Sequence, residues 1–226
     1  QALKPNCYFN ASPSYPQPQG HPPASMSTKT LTLALSTSSL YLQSQKSLSL
    51  YSNSQFFSNL APIPSDFPLS KLIPRTRFIV DGFQSAGDFS ISYFLSHFHS
   101  DNYSGLTSDW SSGIVFCSDI TARLAVDVLG VSPLLVVRLP MNEPVAIDGC
   151  EVTLIDAKHC AGAVQFLFKI PIGGGKFERF VHTGDFRYRP SMKIEPALSQ
   201  FVGCEALFLD ITCCHPKFVF PSHEES

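Results

Sequence analysis

Two histidines and a carboxylate stand within five residues at His97-Phe98-His99-Ser100-Asp101, and Asn102 follows them. In an extended backbone, residues two apart face the same side, so both imidazoles can grip one ion. Neutral imidazole and carboxylate are the donors that divalent metals such as zinc prefer. His159 and the run His182-Thr183-Gly184-Asp185 offer the same chemistry further along. Four of the seven histidines lie in these three clusters, which makes coincidence a poor explanation. A lone histidine would more often be a satisfied structural residue.

Elements that would carry these groups are legible as short β-rich runs ended by turn residues. Strands are expected at 78–81, 93–96, 113–117, 134–138, 145–147, 150–155, 164–170, 177–182 and 206–209. Each cluster follows one of them, at the rim where a rigid sheet aims side chains into loops. A helix is expected over 118–129, with Ser118 as its N-cap. Gly173-Gly174-Gly175 reads as a hairpin loop, since no phosphate-loop signature follows it. Many strands with few helices point to an α/β fold of two packed sheets flanked by helices.

The 226 residues are 44% hydrophobic, enough for one good-sized core. No apolar run reaches the roughly 18–20 residues that span a bilayer, so no membrane partner is expected. Seven scattered cysteines without a CxxC pair argue against a disulfide scaffold and for a reducing compartment. Residues 1–65 are rich in Ser and Pro and hold no acid, which reads as a disordered leader, with an organelle targeting segment as the alternative. Residues 66–226 form the candidate domain, with 13 Lys and Arg against 18 Asp and Glu, a net charge of −5. Such a domain has no general attraction for nucleic acid, so any would come from local cations or a bound metal.

The runs His97-x-His99-x-Asp101, Asp156-Ala-Lys-His159-Cys-x-Gly162-Ala163 and His182-Thr-Gly-Asp185-Phe-Arg187 resemble metal-binding motifs of the metallo-β-lactamase fold. The wording is that of the Pso2/Artemis branch of DNA-repair nucleases. Residues 209–214 and 216–222 are similar to the segment that leads into that branch's second, β-CASP domain. The nearest likeness is the nuclease-like region ahead of the ligase core in a plant DNA ligase. The resemblance spans residues 78 to 225.

It implies a truncated αββα sandwich without its β-CASP domain. It implies a zinc ion held by His97, His99, His159 and Asp185, with Asp185 bridging toward a second site to which Asp101 contributes. Asp101 and Asp185 are then the catalytic candidates, Asp101 as a base for water. Asp81 matches an aspartate that orients ligands from behind, Asp210 one that lies between the two domains, and His182 shapes the Asp185 loop. Arg187 is a candidate contact for substrate phosphate, with a surface salt bridge as the equal alternative. Zinc lowers the pKa of bound water toward about 7 and neutralises phosphoryl charge, which suits phosphodiester hydrolysis.

Three departures stand against full activity. Asn102 takes the place of a histidine, and a neutral amide oxygen is a poor zinc ligand, so one zinc is expected and the second site is weakened. Lys158 and Ala161 replace residues that are usually Asn and Pro, which loosens the His159 loop. Ile211 and Cys213 depart from the interdomain pattern. The expected function is zinc-dependent processing of DNA 5′ ends in cross-link and double-strand-break repair, as part of a larger protein and in this chain weak or absent. The alternatives are a non-catalytic metal-binding scaffold and a small-substrate hydrolase of the same fold. A monomer in the nucleus is expected, with plastid or mitochondrion as the alternative address.

Overall fold

A computed structural model describes residues 60–212 together with His215, Lys217 and Phe218. The expectations for residues 1–59 and most of those for 213–226 lie outside the described residues. Residues 60–65, given to the leader by composition, pack on the domain. The Ala61 carbonyl accepts from Arg77 Nη1 at 2.6 Å, and Ala61 and Ile63 lie against buried side chains.

All nine expected strands form. β1 (Phe78–Val80), β2 (Ser92–Phe94), β3 (Ile114–Cys117) and β4 (Val136–Arg138) make a parallel sheet in that order. Parallel neighbours need crossovers, and α1 (Asp119–Asp127) supplies the one between β3 and β4. The helix begins where Ser118 accepts a hydrogen bond from the Thr121 amide, as its N-cap position predicts. The second sheet runs β5 (Pro144–Ile147), β6 (Cys150–Asp156), β7 (Val164–Gly173) and β8 (Lys176–His182) as an antiparallel meander. β9 (Ala206–Phe208) then joins it parallel to β8. Both tight hairpins turn on consecutive residues with positive φ, Asp148-Gly149 and Gly174-Gly175, as a two-residue turn of this hand demands.

Alternation along the strands sorts the core into layers. Phe78, Val80, Phe94 and Phe116 point into the space between the sheets and meet Val152, Leu154, Phe166 and Phe168. Phe94 is the hub, with ring centroids of Phe78, Phe116, Phe166 and Phe168 at 5.0–5.4 Å. On the other face of the parallel sheet, Ile79, Tyr93 and Val115 pack with Phe83, Trp110 and the α1 residues Ala122 and Ala125. Burial on both faces explains why these strands read as continuous apolar runs. Ile155, Leu167 and Val181 face outward from the second sheet onto Phe201, beside Ala197 and Leu198 of the short α2 (Pro196–Ser199). The result is the expected αββα sandwich, with a thin outer layer on the second sheet. No helix among the described residues is long and apolar enough to cross a membrane.

Candidate metal centre

The three polar clusters converge at one rim of the sandwich. β2 leads into Ser96 and His97, and the Val164 amide donates to the Ser96 carbonyl at 3.0 Å, tying the end of one sheet to the start of a strand in the other. β6 leads toward His159 and β8 toward Asp185. His97 is fully buried, His99 and His159 are exposed, and Asp185 is half-buried, so the group has a dry floor and an open mouth.

Four side-chain atoms face one another there. His97 Nε2 lies 3.0 Å from His99 Nδ1, which lies 3.3 Å from His159 Nε2. Asp185 Oδ2 is 3.6 Å from His97 Nε2 and 3.7 Å from His159 Nε2. A tetrahedral ion with bonds of about 2.0–2.1 Å sets its ligand atoms about 3.3–3.4 Å apart. These four edges bracket that value and all four atoms lie within 4.8 Å of one another, so the donor set fits a metal ion on which its more open edges would close. The three imidazole planes stand at 78–85° to one another, which brings one nitrogen from each ring to a common point.

Electrostatics agree with a metal-binding role. Burial above all pushes the pKa of His97 down to about 4, against the opposing charge of Asp81, so its imidazole is neutral at neutral pH. The carboxyl of Asp185 is raised, first by burial and then by the neighbouring charge of Asp210, while His159 and His99 oppose the shift. A cation at the centre would favour the ionised Asp185, and neutral His97 already has the form that binds a metal.

The remaining expected residues surround this group. Asp101 is exposed and outside the four-atom group. Asp81 is buried with φ at 51° and reaches the ligands only through Ser96. Asn102 turns its amide nitrogen to Asp81 at 3.0 Å and leaves Oδ1 buried without a partner. His182 accepts from the Gly184 amide at 3.1 Å and stacks on Phe208. Thr183 Oγ1 accepts from the Asp210 amide, which pins β9's end to the Asp185 loop. A cavity of about 230 Å³ is lined by Lys71, Asn102, Asp185 and Asp210, so of the four ligands it reaches Asp185 and none of the histidines. Arg187 is exposed, with its amide bonded to the Ala157 carbonyl at 2.9 Å.

The His159 loop is tied rather than loose. Lys158, at φ 57°, is held by Asp156 through both its amide and its ammonium group. Ser118 Oγ donates to the Gly162 carbonyl at 2.6 Å. Ser96, Lys71 (whose ammonium group donates to the Asp81 carbonyl) and Gly184 join the site without having been expected there. Only the position of Ser96 beside His97 could have drawn attention to it.

No family model matches the chain. Curated relatives do. Over 160 residues the chain is 58% identical to "DNA ligase 6" of Arabidopsis thaliana, covering 70% of this chain and 12% of the ligase. It is 42% identical over 171 residues to "DNA cross-link repair protein SNM1" of the same plant, covering 75% and 34%. It is 40% identical over 164 residues to "5' exonuclease Apollo" of Rattus norvegicus, covering 69% and 29%. The chain thus spans about a third or less of each of these relatives. A subclass B3 metallo-β-lactamase from a soil metagenome is similar in structure over 51% of this chain and 56% of its own, at 17% identity and a TM-score of 0.33. The relatives are the DNA-repair nucleases and the DNA ligase to which the motifs pointed.

Proposed function

We propose that this domain, similar in sequence to the metallo-β-lactamase-type DNA-repair nucleases, holds one zinc ion on His97, His99, His159 and Asp185 and serves the hydrolysis of phosphodiesters at DNA 5′ ends. The observation that carries this reading is the convergence of four ligand atoms within 4.8 Å of one another. A zinc ion there supplies Lewis acidity toward a phosphoryl oxygen and toward water. The protein's own part is positioning. Neutral His97 is anchored from below, while His99 and His159 are exposed at the open mouth where a nucleic acid end can enter. Asp101, exposed beside the group, is the candidate base that takes a proton from water. Arg187, two residues beyond Asp185, is the candidate partner for a substrate phosphate, and a surface salt bridge is its plainer role.

The second reading, a metal-binding scaffold without catalysis, is favoured by one observation. Asn102 commits its amide nitrogen to Asp81, and its oxygen is a weak zinc donor, so a second ion lacks a strong ligand. We hold the chain to be weakly active by itself, and to work within a longer protein that supplies the rest of the DNA groove. Nothing in the site favours a small-substrate hydrolase. DNA repair places the work in the nucleus, with plastid or mitochondrial DNA as the alternative.

The test combines metal content with cleavage of a 5′-phosphorylated single strand by the purified chain. About one zinc per chain is expected, lost in His99→Ala and in Asp185→Asn, with slow cleavage that Asn102→His increases. Failure to retain zinc at micromolar protein removes the metal reading. Full retention of zinc without cleavage, in the chain and in Asn102→His alike, favours the scaffold.

A further inference from the structure

We infer that Ser96 is a positioning residue that holds the buried ligand His97 in a single tautomer and orientation, and that Asn102 supports it through Asp81. The inference rests on the metal reading above and adds the part that builds the ligand.

Proton counting carries it. Asp81 is 6% exposed, and three donors surround its carboxylate. The Ser96 amide donates to Oδ1 at 2.8 Å, while Ser96 Oγ at 2.6 Å and Asn102 Nδ2 at 3.0 Å donate to Oδ2. Obligate N–H donors meet both oxygens, the Ser96 amide at Oδ1 and the Asn102 amide at Oδ2, and with the Ser96 hydroxyl they hold the carboxyl in its acceptor-only, ionised form against the upward push of burial on its pKa. The one hydroxyl proton of Ser96 is therefore committed to Asp81. That leaves an oxygen lone pair of Ser96 facing His97 Nδ1 at 3.0 Å. The contact is a hydrogen bond only if His97 Nδ1 carries the proton and donates. The other ring nitrogen, Nε2, is then bare, and it is the atom that faces His99, His159 and Asp185.

Geometry leaves Ser96 little freedom to abandon this role. A Cβ on Gly184 would stand 2.8 Å from Ser96 Cβ, so the Asp185 loop closes directly over the serine. The orientation of Asn102 follows from the same carboxylate, because the reversed amide would set oxygen against oxygen. Asn102, at a position that matches a histidine ligand in the resembled motif, is thereby joined to the support of another ligand. The chain Asn102–Asp81–Ser96–His97 is a carboxylate–histidine support with a hydroxyl inserted, and such outer partners typically set 10–100-fold of metal affinity.

The experiment reads the tautomer and zinc affinity separately. In the metal-free protein, long-range ¹⁵N–¹H spectra of the histidine rings should show His97 protonated at Nδ1 and bare at Nε2. Ser96→Ala should turn that into a tautomer mixture and weaken zinc binding, measured by chelator competition, by about 10–100-fold. Asn102→Ala should weaken it by a smaller factor. The double variant Ser96→Ala/Asn102→Ala should be no weaker than Ser96→Ala, since Asn102 acts only through the serine. A His97 in the metal-free wild type that carries its proton on Nε2 overturns the inference. So does a Ser96→Ala protein that keeps both the tautomer and the affinity within twofold. If the wild type shows the expected tautomer and yet binds no zinc, the metal reading fails and the relay fails with it as a support for metal. The tautomer measurement needs no variant to fold.

Discussion

His182 shows how far a single side chain can be read. Its ring stacks on Phe208 with centroids 5.5 Å apart, Nδ1 accepts from the Gly184 amide, and the ring bonds to the backbone of Ser70. Burial, first among the causes, pushes its pKa down to about 4 from 6.5. Between those values the unfolded chain binds a proton that the folded chain refuses, so stability is complete above about pH 6.5 and falls as pH drops toward 4. We expect the melting temperature of the metal-free protein to fall across that window. His182→Gln should melt lower at pH 7 and lose less on acidification. An acid-side slope identical to that of the wild type would show that His182 does not titrate in this window. The histidine's identity was visible in the sequence as part of a cluster. Its neutral state was not, because that state comes from burial and from the charge of Lys71, which lies far away along the chain.

At the scale of elements, the strand-to-loop joints matter most. Gly184 takes φ 52° where the chain leaves β8 for Asp185, and a side chain there would collide with Ser96. Gly184→Ala is expected to cost at least about 2 kcal/mol by strain and overlap together. Zinc binding should weaken with it, measured by denaturant unfolding alongside chelator competition. A variant with unchanged stability would mean that the loop has room to shift. The strands themselves were legible, since apolar β-branched and aromatic runs bounded by turn residues specify them locally. Boundaries were less so. Residues 133–135 form a short 3-10 turn ahead of β4, with Pro133 opening the turn. The turn Pro190–Ile194 and α2 escaped notice because four or five residues are too few to show a helical period.

For the whole molecule, the rim exists only because the two sheets pack face to face. Phe94 belongs to the strand that leads directly into Ser96 and His97, and its ring sits among four other phenylalanines between the sheets. Phe94→Ala should cost about 3–5 kcal/mol, the usual loss for a large buried ring, and should reduce zinc affinity through the same strand. Calorimetry or urea unfolding with zinc titration checks both, and a loss below about 1 kcal/mol would contradict the core assignment. The net charge of −5 over residues 66–226 also belongs to this scale. On the proposed function, attraction for DNA would fall to a bound metal, to Arg187 and to parts of a longer protein beyond the shared 160 or so residues.

The sequence by itself determined which residues could hold a metal and where they fall along the strands, because donor type and strand periodicity are local properties. It placed His97, His99, His159 and Asp185 after β runs, and the sandwich followed from the count and order of those runs. The tertiary structure decided how the site divides. Asp101 stays outside the four-atom group, Asn102 turns to Asp81, and Ser96 rather than Asp81 meets Nδ1 of the buried ligand. Those outcomes depend on residues 81, 96, 102 and 184 meeting across two packed sheets. Side-chain direction and proton ownership at such a meeting are set by packing and by the hydrogen bonds left to satisfy, and neither is written in local spacing.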